Sequence, residues 1–219
     1  MGQMIGLAAK DGFQLAAYEA MPSGKPRGGI VVLQEIFGLT RHVRNVVDQY
    51  AGAGYYAVAP GLFDRAKPGV ELPYTDIPGG LELMQALQPG QTLMDIEAAV
   101  AAAAKHGKVG VVGYCWGGTL TWLAACNLPV AAAASYYGGW LPKFLDRQPN
   151  CPVIFHFGEQ DGHIPLTDVA KVKAFYPAGE FHLYPAGHGF NCTDRVDYEP
   201  VSSNLAFART LNHFAKYVG

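Results

Sequence analysis

The sequence predicts an α/β chain with a mostly parallel central sheet and helices on both faces, and three observations predict it. Short apolar runs of strand length alternate along the chain with longer segments of helical period. One β-branched run, Val109 to Val112, ends in a tight Gly-x-Cys-x-Gly turn that leads straight into helix-forming sequence. Residues suited to chemistry gather just past the later strand-like runs, where open parallel sheets place their reactive groups.

Phe13 to Glu19 reads as a short opening strand, and Gly29 to Glu35 is an Ile-Val-Val-Leu run of the kind buried on both faces. Thr40 to Ala53 carries apolar residues at 43, 46, 47 and 50, with an N-cap threonine before them and Gly52 and Gly54 as a stop. Tyr55 to Ala59 is the next strand, cut by Pro60 and Gly61. From Leu62 to Gly90 prolines recur and regular periodicity fades, apart from a short helix at Leu81 to Leu87. In a single domain so long an irregular stretch reads as a lid or binding loop.

Thr92 to Lys105 is alanine-rich, with Leu93, Ile96 and Val100 on one stripe. After the turn cysteine, Thr119 to Cys126 is helical. Strands follow at Val130 to Tyr136, Pro152 to Phe157 and Glu180 to Tyr184, with helices near Leu166 to Phe175 and Val201 to Tyr217. No internal repeat or linker interrupts residues 1–219, so a single domain is expected.

Half of the 219 residues are hydrophobic, 16% are charged and the formal net charge is -2. Such a balance offers no basic surface for nucleic acid or an anionic membrane. The first residues lack a basic segment followed by an apolar core, and no run reaches the roughly 18 apolar residues of a membrane span. Four widely spaced cysteines, at 115, 126, 151 and 192, form no Cys-x-x-Cys pair and read as reduced thiols of a cytoplasmic protein. A monomer or small homo-oligomer is expected.

Val109-Gly-Val-Val-Gly-Tyr-Cys115-Trp-Gly-Gly118 is a strand, a sharp turn and a helix start. This is the cysteine form of a nucleophile elbow, in which the side chain stands exposed above the sheet and the helix N-terminus favours a thiolate. The competing reading is a small residue needed for tight packing, since free cysteines are usually buried. Asp161 follows one strand in Gly158-Glu-Gln-Asp-Gly162, and His188 follows the next in Ala186-Gly-His-Gly189. The order nucleophile, acid, histidine assigns Cys115 as nucleophile, His188 as base and Asp161 as the group that orients it. His163 shares the acid's loop and is the rival base, whereas His156 and His182 lie inside strands.

Together, Gln34-Glu-Ile-Phe-Gly38, Gly113-Tyr-Cys-Trp-Gly-Gly118, Tyr136-Tyr-Gly138, Gly158-Glu-Gln-Asp161 and Ala186-Gly-His188 resemble the dienelactone hydrolase family along nearly the whole chain. The resemblance implies an α/β-hydrolase fold and hydrolysis of a lactone or carboxylic ester through a Cys-His-Asp triad, without metal or cofactor. It also implies that Glu35 lies against the resting thiol and helps to convert it to thiolate as substrate enters. Backbone N–H groups of Ile36 and Trp116 are the expected oxyanion donors. Phe37, Tyr137 and Trp116 are expected to line an aromatic pocket.

The family holds its substrate's carboxylate with two arginines, and this chain lacks both: Pro68 to Ala104 has no lysine or arginine, and Cys192 occupies the second position. Arg65 and Arg195 are the nearest cations and are candidate substrate-binding residues, although solvated loop positions are the simpler expectation for both. A neutral or differently charged lactone or ester is therefore expected to be preferred, with dienelactone hydrolysed poorly. The alternatives are a general carboxylesterase or thioesterase with the same triad, and a thiol sensor or ligand receptor in which Cys192 pairs with Cys115.

Overall fold

In the computed structural model, whose described residues are 2–219, strands β1 (Gln3–Ala8) and β2 (Gln14–Ala20) form an antiparallel edge. The other strands are β3 (Gly29–Leu33), β4 (Tyr56–Pro60), β5 (Val109–Tyr114), β6 (Ala132–Tyr136), β7 (Val153–Gly158) and β8 (Glu180–Tyr184). They complete one eight-stranded sheet in the order β1-β2-β4-β3-β5-β6-β7-β8, parallel from β4 to β8. The helices are α1 (Arg41–Gly52), α2 (Ile77–Ala86), α3 (Pro89–Ala104), α4 (Trp116–Asn127), α5 (Leu166–Phe175) and α6 (Pro200–Tyr217). This is the expected fold class.

Helices cover both faces because every residue of β3, β4, β5, β6 and β7 is buried. On one face, Tyr50 of α1 packs its ring against Phe207 and Phe214 of α6. On the other, Trp122 of α4 meets Phe175 at the end of α5. Thr40 caps α1 as expected, accepting from the Val43 N–H, and Gly54 takes φ 97° just beyond its end.

The structure departs from the sequence reading in three places. β1 is an added edge strand with mostly exposed residues, so it carries little of the apolar signal that marks a strand. α2 begins at Ile77 rather than Leu81, because Asp76 caps it through the Gly79 N–H and Pro78 falls in the first turn, where its missing N–H costs nothing. α3 begins at Pro89, again with a proline in the first turn but with no side chain capping it. The irregular stretch is therefore shorter than expected.

Candidate active site

The elbow is a close approach of backbones that only glycine permits. A Cβ on Gly113 would stand 2.0 Å from the Gly117 carbonyl oxygen, and one on Gly117 would stand 2.3 Å from that of Leu33. With the helix pressed onto the sheet in this way, α4 starts at Trp116, three residues earlier than its sequence suggested, and Cys115 itself is the N-cap. Cys115 has φ 55° and ψ -115°, a conformation that costs a non-glycine residue about 1–3 kcal/mol. That strain points the thiol out of the helix and into a pocket of about 310 Å³ at the carboxyl edge of the sheet.

His188 reaches the same pocket from the loop after β8. Its Nδ1 lies 2.8 Å from Asp161 Oδ2, and its ring shares the pocket with the Cys115 thiol. The other oxygen, Asp161 Oδ1, accepts the backbone N–H groups of His163 and Ile164 at 2.8 and 3.1 Å. Three bonds therefore fix the carboxylate, and the carboxylate fixes the imidazole. Burial works against a charged imidazole, but the bonded Asp161 carboxylate and the neighbouring Cys115 sulfur outweigh it and push the His188 pKa up to about 10. His163 lies at the pocket edge with its ring 5.1 Å from that of His188, and it bonds the acid only through its backbone.

Glu35 follows β3 and is 2% exposed. Among the described residues neither carboxylate oxygen has a hydrogen bond within the normal range, and the nearest cation is Arg195, with Nη1 at 3.5 Å from Oε1. Burial raises the carboxyl's pKa, and the positive charges of Arg195 and His188 offset part of that. The Cys192 thiol lies beside it, pushed up to about 12 by its own burial and by the Glu35 charge.

Ile36 and Phe37 line the pocket. Among the described residues the N–H groups of Ile36 and Trp116 have no acceptor within the protein, so both are free for a ligand oxygen. Gln34 anchors the loop behind them by accepting the Leu62 N–H at 3.1 Å, and Leu72 donates to the Phe37 carbonyl at 2.8 Å.

The two arginines part company. Arg195 is a pocket residue with its side chain 11% exposed, contrary to the solvated position expected of it. Its loop is tied to the start of α1 by the Arg41 to Asp194 ion pair at 3.1 Å and by His42 against Thr193 at 3.2 Å. Arg65 is buried too, but in a structural pair. It binds Asp95 in two-pronged fashion at 2.8 Å and Asp11 at 2.8 Å, and its guanidinium lies over Phe13. With its donors committed to two carboxylates it does not reach the pocket, which corrects its candidacy as a substrate residue.

Tyr137 and Trp116 also differ from expectation. Tyr137 is fully buried, with its ring 5.1 Å from that of His188, so it supports the imidazole from behind instead of lining the pocket. The Trp116 indole stacks on Phe63 at 5.2 Å and turns toward a neighbouring cavity. Residues that the sequence reading did not single out complete the pocket: Ile77 and Leu81 of α2 and Trp140 after β6. The rule that led to Asp161 and His188, reading just past each strand, also leads from Tyr136 to Trp140.

Comparison with known proteins identifies the family and the fold. The sequence model of the dienelactone hydrolase family matches residues 15–218. The carboxymethylenebutenolidase of Pseudomonas putida is 34% identical over 224 residues, covering 96% of this chain and 95% of that protein. A solved Klebsiella pneumoniae protein assigned to the dienelactone hydrolases superposes with a TM-score of 0.87 at 29% identity, covering 99% of this chain and all of its own. The Pyrococcus furiosus esterase Pf2001, at 12% identity and a TM-score of 0.74 over all of this chain and 93% of its own, shares the fold. With the family's sequence pattern matched over nearly its whole length, the chain belongs to the dienelactone hydrolase family.

Proposed function

We propose that this chain is a single-domain cysteine hydrolase that opens a small lactone or carboxylic ester through a thioester intermediate. Its family membership makes it a hydrolase of lactone or ester bonds. The observation that carries the finer reading is the His188–Asp161 pair at 2.8 Å with its imidazole in the same pocket as Cys115, which stands at a strained elbow.

In this reading the Cys115 sulfur attacks the carbonyl carbon, and the Ile36 and Trp116 N–H groups receive the oxyanion. The tetrahedral species collapses and breaks the carbon–oxygen bond. His188 gives its proton to the departing alkoxide, which stays tethered to the acyl group when the substrate is a lactone. Water, deprotonated by His188, then attacks the thioester and releases the carboxylate and the free thiol. Asp161 keeps the Nδ1 proton in place throughout, so that Nε2 is the atom that exchanges protons.

Arg195 alters the substrate expected from sequence alone. A buried guanidinium in the pocket favours a substrate that carries a carboxylate beside its scissile bond, in place of the neutral or differently charged one expected when both family arginines were missing. Such a substrate would compete with Glu35 for Arg195. Glu35, left without its cation and with a pKa already raised by burial, would then accept the thiol proton. The sensor reading loses support from Cys192, a fully buried thiol held in its protonated form. All four cysteines are unpaired and no described helix is long and apolar enough to cross a membrane, which supports a reducing, cytoplasmic setting.

Iodoacetamide tests the assignment. One equivalent should alkylate Cys115 first and abolish p-nitrophenyl acetate hydrolysis in proportion to labelling. Full activity after Cys115 is blocked would overturn it.

A further inference from the structure

The 310 Å³ catalytic pocket is not the only cavity at this edge of the sheet. A second one, of about 450 Å³, lies between α2, α3 and α4, and its walls include Met84, Leu93, Trp116, Leu123, Trp140 and Phe144. Three features tie the two together. Trp140 forms a wall of both. Trp116 offers its backbone N–H at the nucleophile while its indole faces the second cavity. α2 roofs both with one apolar stripe: Ile77 and Leu81 face the catalytic pocket, and Met84, one helical turn further on, faces the second cavity.

That roof is set in place by a backbone contact with the site itself. A Cβ on Gly80 would stand 2.3 Å from the Ile36 carbonyl oxygen, so α2 rests directly on the loop that supplies an oxyanion donor. Gly80 is the only buried residue of the helix, and Ile77 is 39% exposed. The stripe is therefore half covered by protein, with its remaining apolar surface turned to the two cavities.

We propose that the second cavity is the binding site for an apolar chain or aromatic ring attached to the substrate, so that the enzyme favours esters with a long hydrophobic group over acetate-sized ones. This rests on the ester-hydrolase reading above and adds the substrate class. The lining supports an uncharged occupant: Lys143 is its one charged residue, and aliphatic and aromatic side chains dominate the rest. A substrate anchored at Cys115 with its polar end toward Arg195 would extend its apolar end past Leu81 and Trp140 into this space.

The test uses the full-length protein and p-nitrophenyl esters from acetate through butyrate and hexanoate to octanoate. Once the chain is long enough to enter the cavity, kcat/KM should rise by up to about fourfold for each added methylene. Leu123→Trp on α4 and Leu93→Trp on α3 fill the cavity from different sides. Each should lower the ratio of octanoate to acetate kcat/KM at least tenfold, whereas Leu123→Ala should preserve or raise it. A flat wild-type profile with acetate turned over, or a ratio that neither tryptophan moves, would overturn the inference while leaving the hydrolase reading intact. Failure to turn over any of these esters or a lactone would overturn both.

Discussion

Replacing Asp161 with Asn keeps the shape of the acid and removes its charge. The new side-chain oxygen can still accept the His163 and Ile164 N–H groups, so the loop after β7 should hold. The amide nitrogen then faces His188 Nδ1 across the 2.8 Å gap that the carboxylate spanned. Two donors cannot bond each other, so Nδ1 must give up its proton and Nε2 must carry it, the wrong tautomer for accepting one from the water that attacks the thioester. In serine proteases the equivalent loss of tautomer control lowers kcat by about 10⁴-fold, and a fall of about 10³- to 10⁴-fold is expected here.

The same substitution should change how stability depends on pH. With a folded pKa of about 10 against an ordinary 6.5, His188 binds its proton more tightly in the folded state. At about 1.4 kcal/mol per pH unit, that preference is worth on the order of 5 kcal/mol. The contribution is complete below pH 6.5 and is lost as pH rises toward 10. In Asp161→Asn the raising influence of the carboxylate is gone while burial still opposes the charge, so the folded pKa of the imidazole should fall. Urea midpoints measured every half unit from pH 6 to 10 should therefore fall in the wild type and fall less steeply in the variant. A variant that keeps the wild-type slope and hydrolyses esters within tenfold of wild-type rate would refute this account of His188.

Three other perturbations separate the remaining roles. Arg195→Met should reduce the preference for a carboxylate-bearing ester over its neutral isostere by about 10- to 100-fold, the worth of a charge-assisted contact, and an unmoved ratio of kcat/KM values would remove Arg195 from substrate binding. Glu35→Gln should change the pH profile of Cys115 alkylation, and a profile and turnover identical to wild type would make Glu35 structural. Arg65→Ala should destabilise the fold by about 3 kcal/mol by stranding the buried Asp95 carboxylate, with the ratio of kcat/KM values for anionic and neutral esters unchanged. A changed ratio without destabilisation would return Arg65 to the pocket.

What the sequence made legible is what local chemistry dictates. The elbow could be read because glycines, a nucleophile and a β-branched run must be contiguous for the turn to form. Asp161 and His188 could be read because parallel topology sends successive strand ends to the same edge. The edge strand β1 was missed because its residues are mostly exposed, and the start of α2 was missed because Pro78, Gly79 and Gly80 look like a turn until Asp76 is seen to cap a helix. The fates of Arg65 and Arg195 depend on partners far away in the chain: Asp95 lies 30 residues from Arg65 and Glu35 lies 160 from Arg195, and nothing local announces either pairing. The same holds for the second cavity, whose walls come from four separate segments.

The central claim is that the acyl group passes through the Cys115 sulfur. Rapid-quench mass spectrometry of the protein mixed with p-nitrophenyl acetate tests it most directly. The account predicts one acetyl group per chain, located on the peptide that contains Cys115, formed and lost at rates that support turnover and absent from Cys115→Ala. Turnover with no acylated species, or an acetyl group that turns over on another residue while Cys115→Ala retains its activity, would contradict it.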